Sequence, residues 1–420
     1  MEAGRPRSGF GTALVAVLFI ALVSLVIFDR GRIEVDFAHL SAGGAAYYHP
    51  NLPYFLPSCM RIGTSILGYG IEKLLLGLSG IYFSGDAAYR LFAPEVVAHQ
   101  GMYAWQRVVL DPARMQDLVV PIAATVLLRA LCLGAILWLA LRFFSATWER
   151  ATFLLVTFGA LLGWPVSLVL GFFSLMSTVV DWPHHHFLYV YFASPYDFGS
   201  VGFLYVLMLM LARPTLPSPA AAALLAPAGQ LVFENLGLVT GVAFAIVAWA
   251  RMPHGTAIAR LARAASYLVA AGLACIAVAA LVIAQCSAPE GDASPATKVL
   301  EYFIRNWHMY GRNNLEWWRV LVADSISILV FPMIFGAALG LGAWLVRNDH
   351  GPSADAVGRQ FLAACGVAAG FIPSLVPGFF VSGMTSDIFR QIAPLACVTV
   401  LFAARGTAVL LRRTSFGPRP

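Results

Sequence analysis

Two carboxylates stand two residues apart in "FDRGRIEVDFAHL" (28–40), Glu34 and Asp36. In an extended segment such residues share a face. Placed so, they suit either of two tasks, taking a proton from a hydroxyl or holding a divalent cation such as Mg or Mn through hard oxygens. Arg30 and Arg32 beside them support a plainer reading, a solvated polar collar. In "SGDAAYRLFAPEVVAHQG" (84–101), Arg90 follows Asp86 by four residues, which fits a local ion pair as well as a phosphate clamp. "LVFENLGLV" (231–239) sets Glu234 between two apolar runs. In a recess its ionisation would be tunable, whereas in water it would be an ordinary tip residue. In "SGMTSDIFRQIAPL" (382–395), Arg390 follows Asp387 by three, at the lip of another apolar run, where a guanidinium can hold a phosphate.

Histidines and aromatics add a second group. "DWPHHHFLYVYFASPYDF" (181–198) contains His184, His185 and His186. A regular helix cannot turn three consecutive histidines toward one metal, and a strand aligns only His184 and His186. No metal site is therefore assigned; histidines lying at a membrane interface, or His185 donating to a phosphate, fit better, and Asp197 stands at the mouth of the next apolar run. "EYFIRNWHMYGRNNLEWWR" (301–319) mixes Arg312 with Trp317 and other aromatics. A belt of amphipathic rings at a bilayer surface produces such a mixture. The sharper alternative is a surface where Trp317 stacks on a sugar ring while Arg312 grips a phosphate.

The elements that must position these groups are apolar. With 60% hydrophobic and 11% charged residues and a mean hydropathy of +0.77, the chain is far from the soluble balance of roughly half apolar and a quarter charged. Apolar segments fall at 11–28, 117–142, 152–177, 199–212, 218–233, 235–250, 265–285, 320–346, 360–381 and 391–411. Most approach the roughly 20 residues needed to cross about 30 Å of hydrocarbon. The expected fold is an all-α, polytopic transmembrane helical bundle of about ten spans in a single membrane-embedded domain (1–420). The 199–212 and 218–233 pair is short enough to be one tight or partly re-entrant hairpin.

Segment 62–83, with Glu72 and Lys73 interrupting an apolar helical pattern, reads as an interfacial helix within a long outer loop, 29–116. The first span follows Arg5 and Arg7 with no cleavage signature, so it reads as a retained helix. The six cysteines show no CxxC spacing and no disulfide framework.

The formal charge of +6 comes mainly from arginines in alternate short connections. That is the pattern of a membrane protein with basic loops and both termini in the cytoplasm, not of a nucleic-acid binder. The outer face then receives 29–116, 178–198, the tip at Glu234, the aromatic and basic loop 287–319, and 382–388.

Several elements resemble the polytopic bacterial proteins of the GT-C glycosyltransferase superfamily. They are the acidic loop after the first span (Glu34, Asp36), "YRLFAP" (89–94), the stretch from "YDFGSVGF" to "LVFENLGLV" (196–239), and "FRQIAPL" (389–395). The resemblance implies transfer of a sugar from a polyprenyl-phosphate donor to a glycan, lipid or protein acceptor on the outer face of the bacterial cytoplasmic (inner) membrane. Outer-loop carboxylates (Asp36, Glu34, Glu234) would act as bases, with a divalent metal in some members. Arg90, Arg390, His185, Asp197, Arg312 and Trp317 become the expected substrate-binding set, and membrane lipid an expected partner. The family's tandem acidic pair is replaced by Glu-Val-Asp here. Other readings of the same pattern are a lipid-linked glycan polymerase or ligase, a transporter or flippase of lipid-linked intermediates, and a non-enzymatic assembly partner.

Overall fold

The computed structural model describes residues 9–27, Leu74, 130–161, 195–233, 235–252, 255–285, 354–381 and 395–413. Among the described residues every regular element is helical, as expected, and no strand occurs. The helices are α1 (Gly9–Ile27), α2 (Ala130–Leu141), α3 (Thr147–Leu161), α4 (Pro195–Leu211), α5 (Pro219–Val232), α6 (Leu236–Ala250), α7 (Ala257–Gln285), α8 (Ala354–Val381) and α9 (Leu395–Arg413). Two stretches, Ala257–Val282 and Asp355–Pro373, are long and apolar enough to cross a membrane by length and composition. The expected span 320–346, the part of 117–142 before Ala130 and the part of 152–177 after Leu161 lie outside the described residues, as does the interfacial helix at 62–83 apart from Leu74.

Helix boundaries differ from the apolar windows for a physical reason. The window 265–285 belongs to a helix that starts at Ala257, where the Thr256 hydroxyl accepts from the Ala259 N–H at 3.2 Å. Arg260 then sits inside the first turns, its Nε donating to the Trp249 carbonyl at 3.3 Å and its guanidinium 4.4 Å above the Trp249 ring. A hydropathy window stops at the arginines, but a helix need not, because a long basic side chain can reach back to a polar partner. Segments 199–212 and 218–233 are two separate helices, parted by Pro214, Pro217 and the Pro219 that opens α5 at its first helical position.

Helix α6 is the centre of one group and packs against α4, α5, α7 and α8, while α3 packs against α1 and α9. Glycines set how close the helices come. In "GLVTG" (237–241), a Cβ on Gly237 would meet Cys275 Sγ of α7 at 2.9 Å, and one on Gly241 would meet Ala271 Cβ at 3.1 Å. In "GVAAG" (366–370) of α8, a Cβ on Gly366 would meet the Ala243 carbonyl oxygen at 3.1 Å, and one on Gly370 the Val239 carbonyl oxygen at 2.7 Å. Both are GxxxG spacings, which let helix backbones approach closely.

Helix α7 places its large side chains outward. Toward α6 and the α4–α5 connection it presents Ala264, Tyr267 and Ala271, all buried, with Tyr267 stacked on Phe244 at 5.6 Å and donating to the Pro217 carbonyl at 2.6 Å. Ile258 (80% exposed), Leu261, Leu268, Val269, Leu273, Ile276 and Leu281 face away. In water each would forgo up to about 1.5–3 kcal/mol. Seven such losses rival the roughly 5–15 kcal/mol that hold a whole domain together. The helix is built for an apolar surrounding. Gly272 lies on it with nothing within 4 Å of a would-be Cβ. Gly272→Ala is therefore expected to stabilise the protein by about 0.5–1 kcal/mol, read as a raised midpoint in detergent thermal melts.

Hydroxyls inside the helices are satisfied locally. Thr152, Thr157, Thr240 and Thr407 each donate to the carbonyl four residues earlier, at 2.6 to 2.9 Å. This leaves few open hydrogen bonds in the packed interior.

Candidate functional site

Of the residues singled out above, Glu34, Asp36, Arg90, His185, Arg312, Trp317 and Arg390 lie outside the described residues. Asp197 is the third residue of α4 (Pro195–Leu211). Glu234 itself is not described, but both of its neighbours, Phe233 and Asn235, are, and they define the frame on either side of it.

That frame follows from the sequence "PAGQLVFENLG" (227–237). Pro227 inside α5 and Gly229 near its end weaken the helix. Phe233 then takes an extended conformation, φ −155° and ψ 128°, with its N–H on the Gly229 carbonyl at 2.9 Å. Asn235 is already helical and opens α6, and the Leu236 N–H returns to the Phe233 carbonyl at 2.9 Å. The polarity is left inside: Gln230 is 8% exposed and Asn235 9%. Gln230 packs beside Gly237 at the junction with Cys275 of α7.

Neither amide is satisfied. Gln230 Oε1 and Asn235 Nδ2 are buried without a hydrogen-bond partner, and the Asn235 side chain makes no cap bond to α6. Each such group costs about 1–3 kcal/mol unless something meets it. One is an acceptor and the other a donor, so hydroxyl groups, which do both, match the pair. Sequence reasoning missed Gln230, because a lone glutamine on an alanine-rich helix does not signal that its amide will be buried.

At the opposite end of α6, arginines hold helix ends. Arg251 donates through Nη1 to the Arg213 carbonyl at 2.7 Å and through Nη2 to that of Leu211; Arg359 Nε donates to the Ala212 carbonyl at 3.1 Å. These are the carbonyls left open where α4 stops. Burial first, and the neighbouring Arg359 guanidinium second, lower the Arg251 pKa.

The α2–α3 connection repeats the device. Buried Arg405 of α9 donates to the Phe143 carbonyl, and Arg150 Nε to that of Phe144 at 3.1 Å. Glu149 accepts from the Ala146 N–H at 3.4 Å across the start of α3. Arg405→Met keeps an apolar stem of similar length but removes the donor. It is expected to cost about 1–3 kcal/mol, read as a lowered chemical-denaturation midpoint.

Among the described residues no group of three His, Cys, Asp or Glu side chains gathers as a metal site would require. Comparison with protein-family models, with curated proteins and with solved structures finds no match to this chain.

Proposed function

We propose that the protein is a many-spanning membrane glycosyltransferase of the GT-C type, moving a sugar from a polyprenyl-phosphate donor to an acceptor hydroxyl at the outer membrane face. The observation that carries this reading is the buried α5–α6 turn, where Gln230 and Asn235 flank Glu234 with open hydrogen-bonding capacity. The short helices strengthen it. Helix α6 has 15 residues, a rise of roughly 22 Å against about 30 Å of hydrocarbon. With its Arg251 end at one interface, the Asn235 end of α6 falls several ångströms short of the other. The large outward residues of α7 meet lipid in this arrangement, and the glycine-spaced faces of α6 and α8 bring the helices together.

The reaction then divides among the chain's own residues. A carboxylate, with Asp36, Glu34 and Glu234 the candidates, takes the proton of the acceptor hydroxyl as its oxygen bonds to the sugar's anomeric carbon. The bond from that carbon to the lipid phosphate breaks, and the phosphate leaves with the electron pair. Arg90 and Arg390 meet the charge it gains. Buried amides at the turn recognise hydroxyls of the sugar or acceptor. His185, Asp197, Arg312 and Trp317 complete the proposed outer binding surface.

The test is Asp36→Asn and Glu34→Gln, made separately, with folded yield in detergent and surface-glycan composition measured together. Normal yield with an altered glycan in either variant supports the reading; normal yield with an unchanged glycan in both counts heavily against it, and the same result with Glu234→Gln overturns it. A flippase would instead accumulate lipid-linked intermediates on the cytoplasmic side.

A further inference from the structure

We propose that Arg213, Arg251 and Arg359 form a phosphate-binding site where α4 and α6 end and α8 begins, at the end of α6 opposite Asn235. Three consecutive carbonyls, Leu211, Ala212 and Arg213, draw two guanidinium groups onto one corner. Arg251 commits both terminal nitrogens to them, and its Nε is buried without a partner. Arg359 commits only Nε, so its two terminal nitrogens remain as a fork. Arg213, whose carbonyl receives Arg251 Nη1, has an exposed side chain.

The charge at this corner does not close. The C-terminal ends of α4 and α6 contribute roughly half a negative charge each, against three guanidinium groups. Among the described residues no carboxylate is paired with any of the three; Asp355, one turn before Arg359 on α8, is exposed and makes no ion pair. An anion with several acceptor oxygens is the complement, and a phosphate matches the guanidinium fork in shape and charge.

The same chemistry is offered by a free phosphate and by the headgroup of an anionic phospholipid. The surroundings favour the lipid: exposed Trp249, Ile258 and Leu261 lie on the adjoining ends of α6 and α7, where acyl chains would run. Basic pockets between membrane helices bind anionic lipid in this way. The lipid arm rests on the chain crossing a bilayer, but the site does not depend on sugar transfer, and its test reads binding alone.

The experiment uses the full-length protein purified in detergent and offered, in separate arms, dioleoylphosphatidylglycerol, dioleoylphosphatidylcholine and inorganic phosphate. Retained lipid is counted by native mass spectrometry, and phosphate is assayed by its ability to displace the lipid. Wild type is expected to retain the anionic lipid about tenfold over the zwitterionic one, with each lost arginine reducing that ratio about fivefold. Arg359→Gln leaves the Arg251 clasp in place and so isolates the free fork, and Arg213→Gln gives a second, surface-exposed variant. Arg263→Gln, an exposed arginine with no backbone clasp in α7, should leave the ratio unchanged. Phosphate that binds and is lost in Arg359→Gln, without any lipid preference, would assign the site to a soluble phosphate. Wild type preferring neither lipid nor phosphate, or Arg359→Gln and Arg213→Gln both keeping the full preference, would overturn the proposal.

Discussion

Gly370→Leu is expected to separate α6 from α8 and lower stability by about 3 kcal/mol or more, read as a lowered denaturation midpoint or a loss of monodisperse protein in detergent. The reason is local. Even a single Cβ at Gly370 would lie 2.7 Å from the Val239 carbonyl oxygen and 3.0 Å from the Val239 Cα. Both are backbone atoms, so no rotamer change can relieve the contact; the helices must move apart. Because α6 also receives α4, α5 and α7, a shift at this seam reaches most of the group. The control sits on the same helix. Gly358 has nothing within 4 Å of a would-be Cβ, so Gly358→Ala should be neutral or stabilising by about 0.5–1 kcal/mol. Equal effects at the two positions would refute the packing argument.

Glu234→Gln is expected to lower sugar transfer by about 10²–10⁴-fold with folded yield unchanged, the range by which a positioned acid or base contributes. Its shape is kept and only the ionisable group is lost. The neighbouring Asn235→Leu sharpens the result. It removes a buried amide that has no partner and makes no helix cap. Stability should therefore be equal or higher by about 1–2 kcal/mol, while transfer falls. A residue kept for structure would show the reverse, stability lost and activity following it. Were Glu234→Gln to leave the glycan product unchanged at normal yield, the turn would have no part in catalysis.

The sequence disclosed the helices better than it disclosed their ends. Apolar runs at 11–28, 199–212, 218–233 and 235–250 correspond to α1, α4, α5 and α6 within a few residues. The ends were missed where arginines lie inside a helix, as at Arg260 in α7, because hydropathy records the charge and not the carbonyl that receives it. The arginine pattern was legible as charge in alternate connections. Its second role, closing the carbonyl ends of α4 and the α2–α3 connection, depends on three-dimensional neighbours such as Arg251 with Leu211 or Arg405 with Phe143. The close seams were written in the sequence as "GLVTG" and "GVAAG", and that spacing would have revealed them. For the site, Glu234 was legible as an acid between apolar runs. Gln230 was not, because a lone glutamine on an alanine-rich helix gives no hint that its amide will be buried beside Gly237.

The central claim, that helices such as α7 cross a bilayer with their acid-bearing connections outside, is tested most directly by thiol labelling of spheroplasts. Single cysteines are introduced by Thr215→Cys, in the exposed α4–α5 connection, and by Ser294→Cys, in the 287–319 loop, after the six native cysteines have been replaced. A membrane-impermeant maleimide should label the Ser294→Cys protein from outside and the Thr215→Cys protein only after permeabilisation. Labelling of both from the same side would contradict the account.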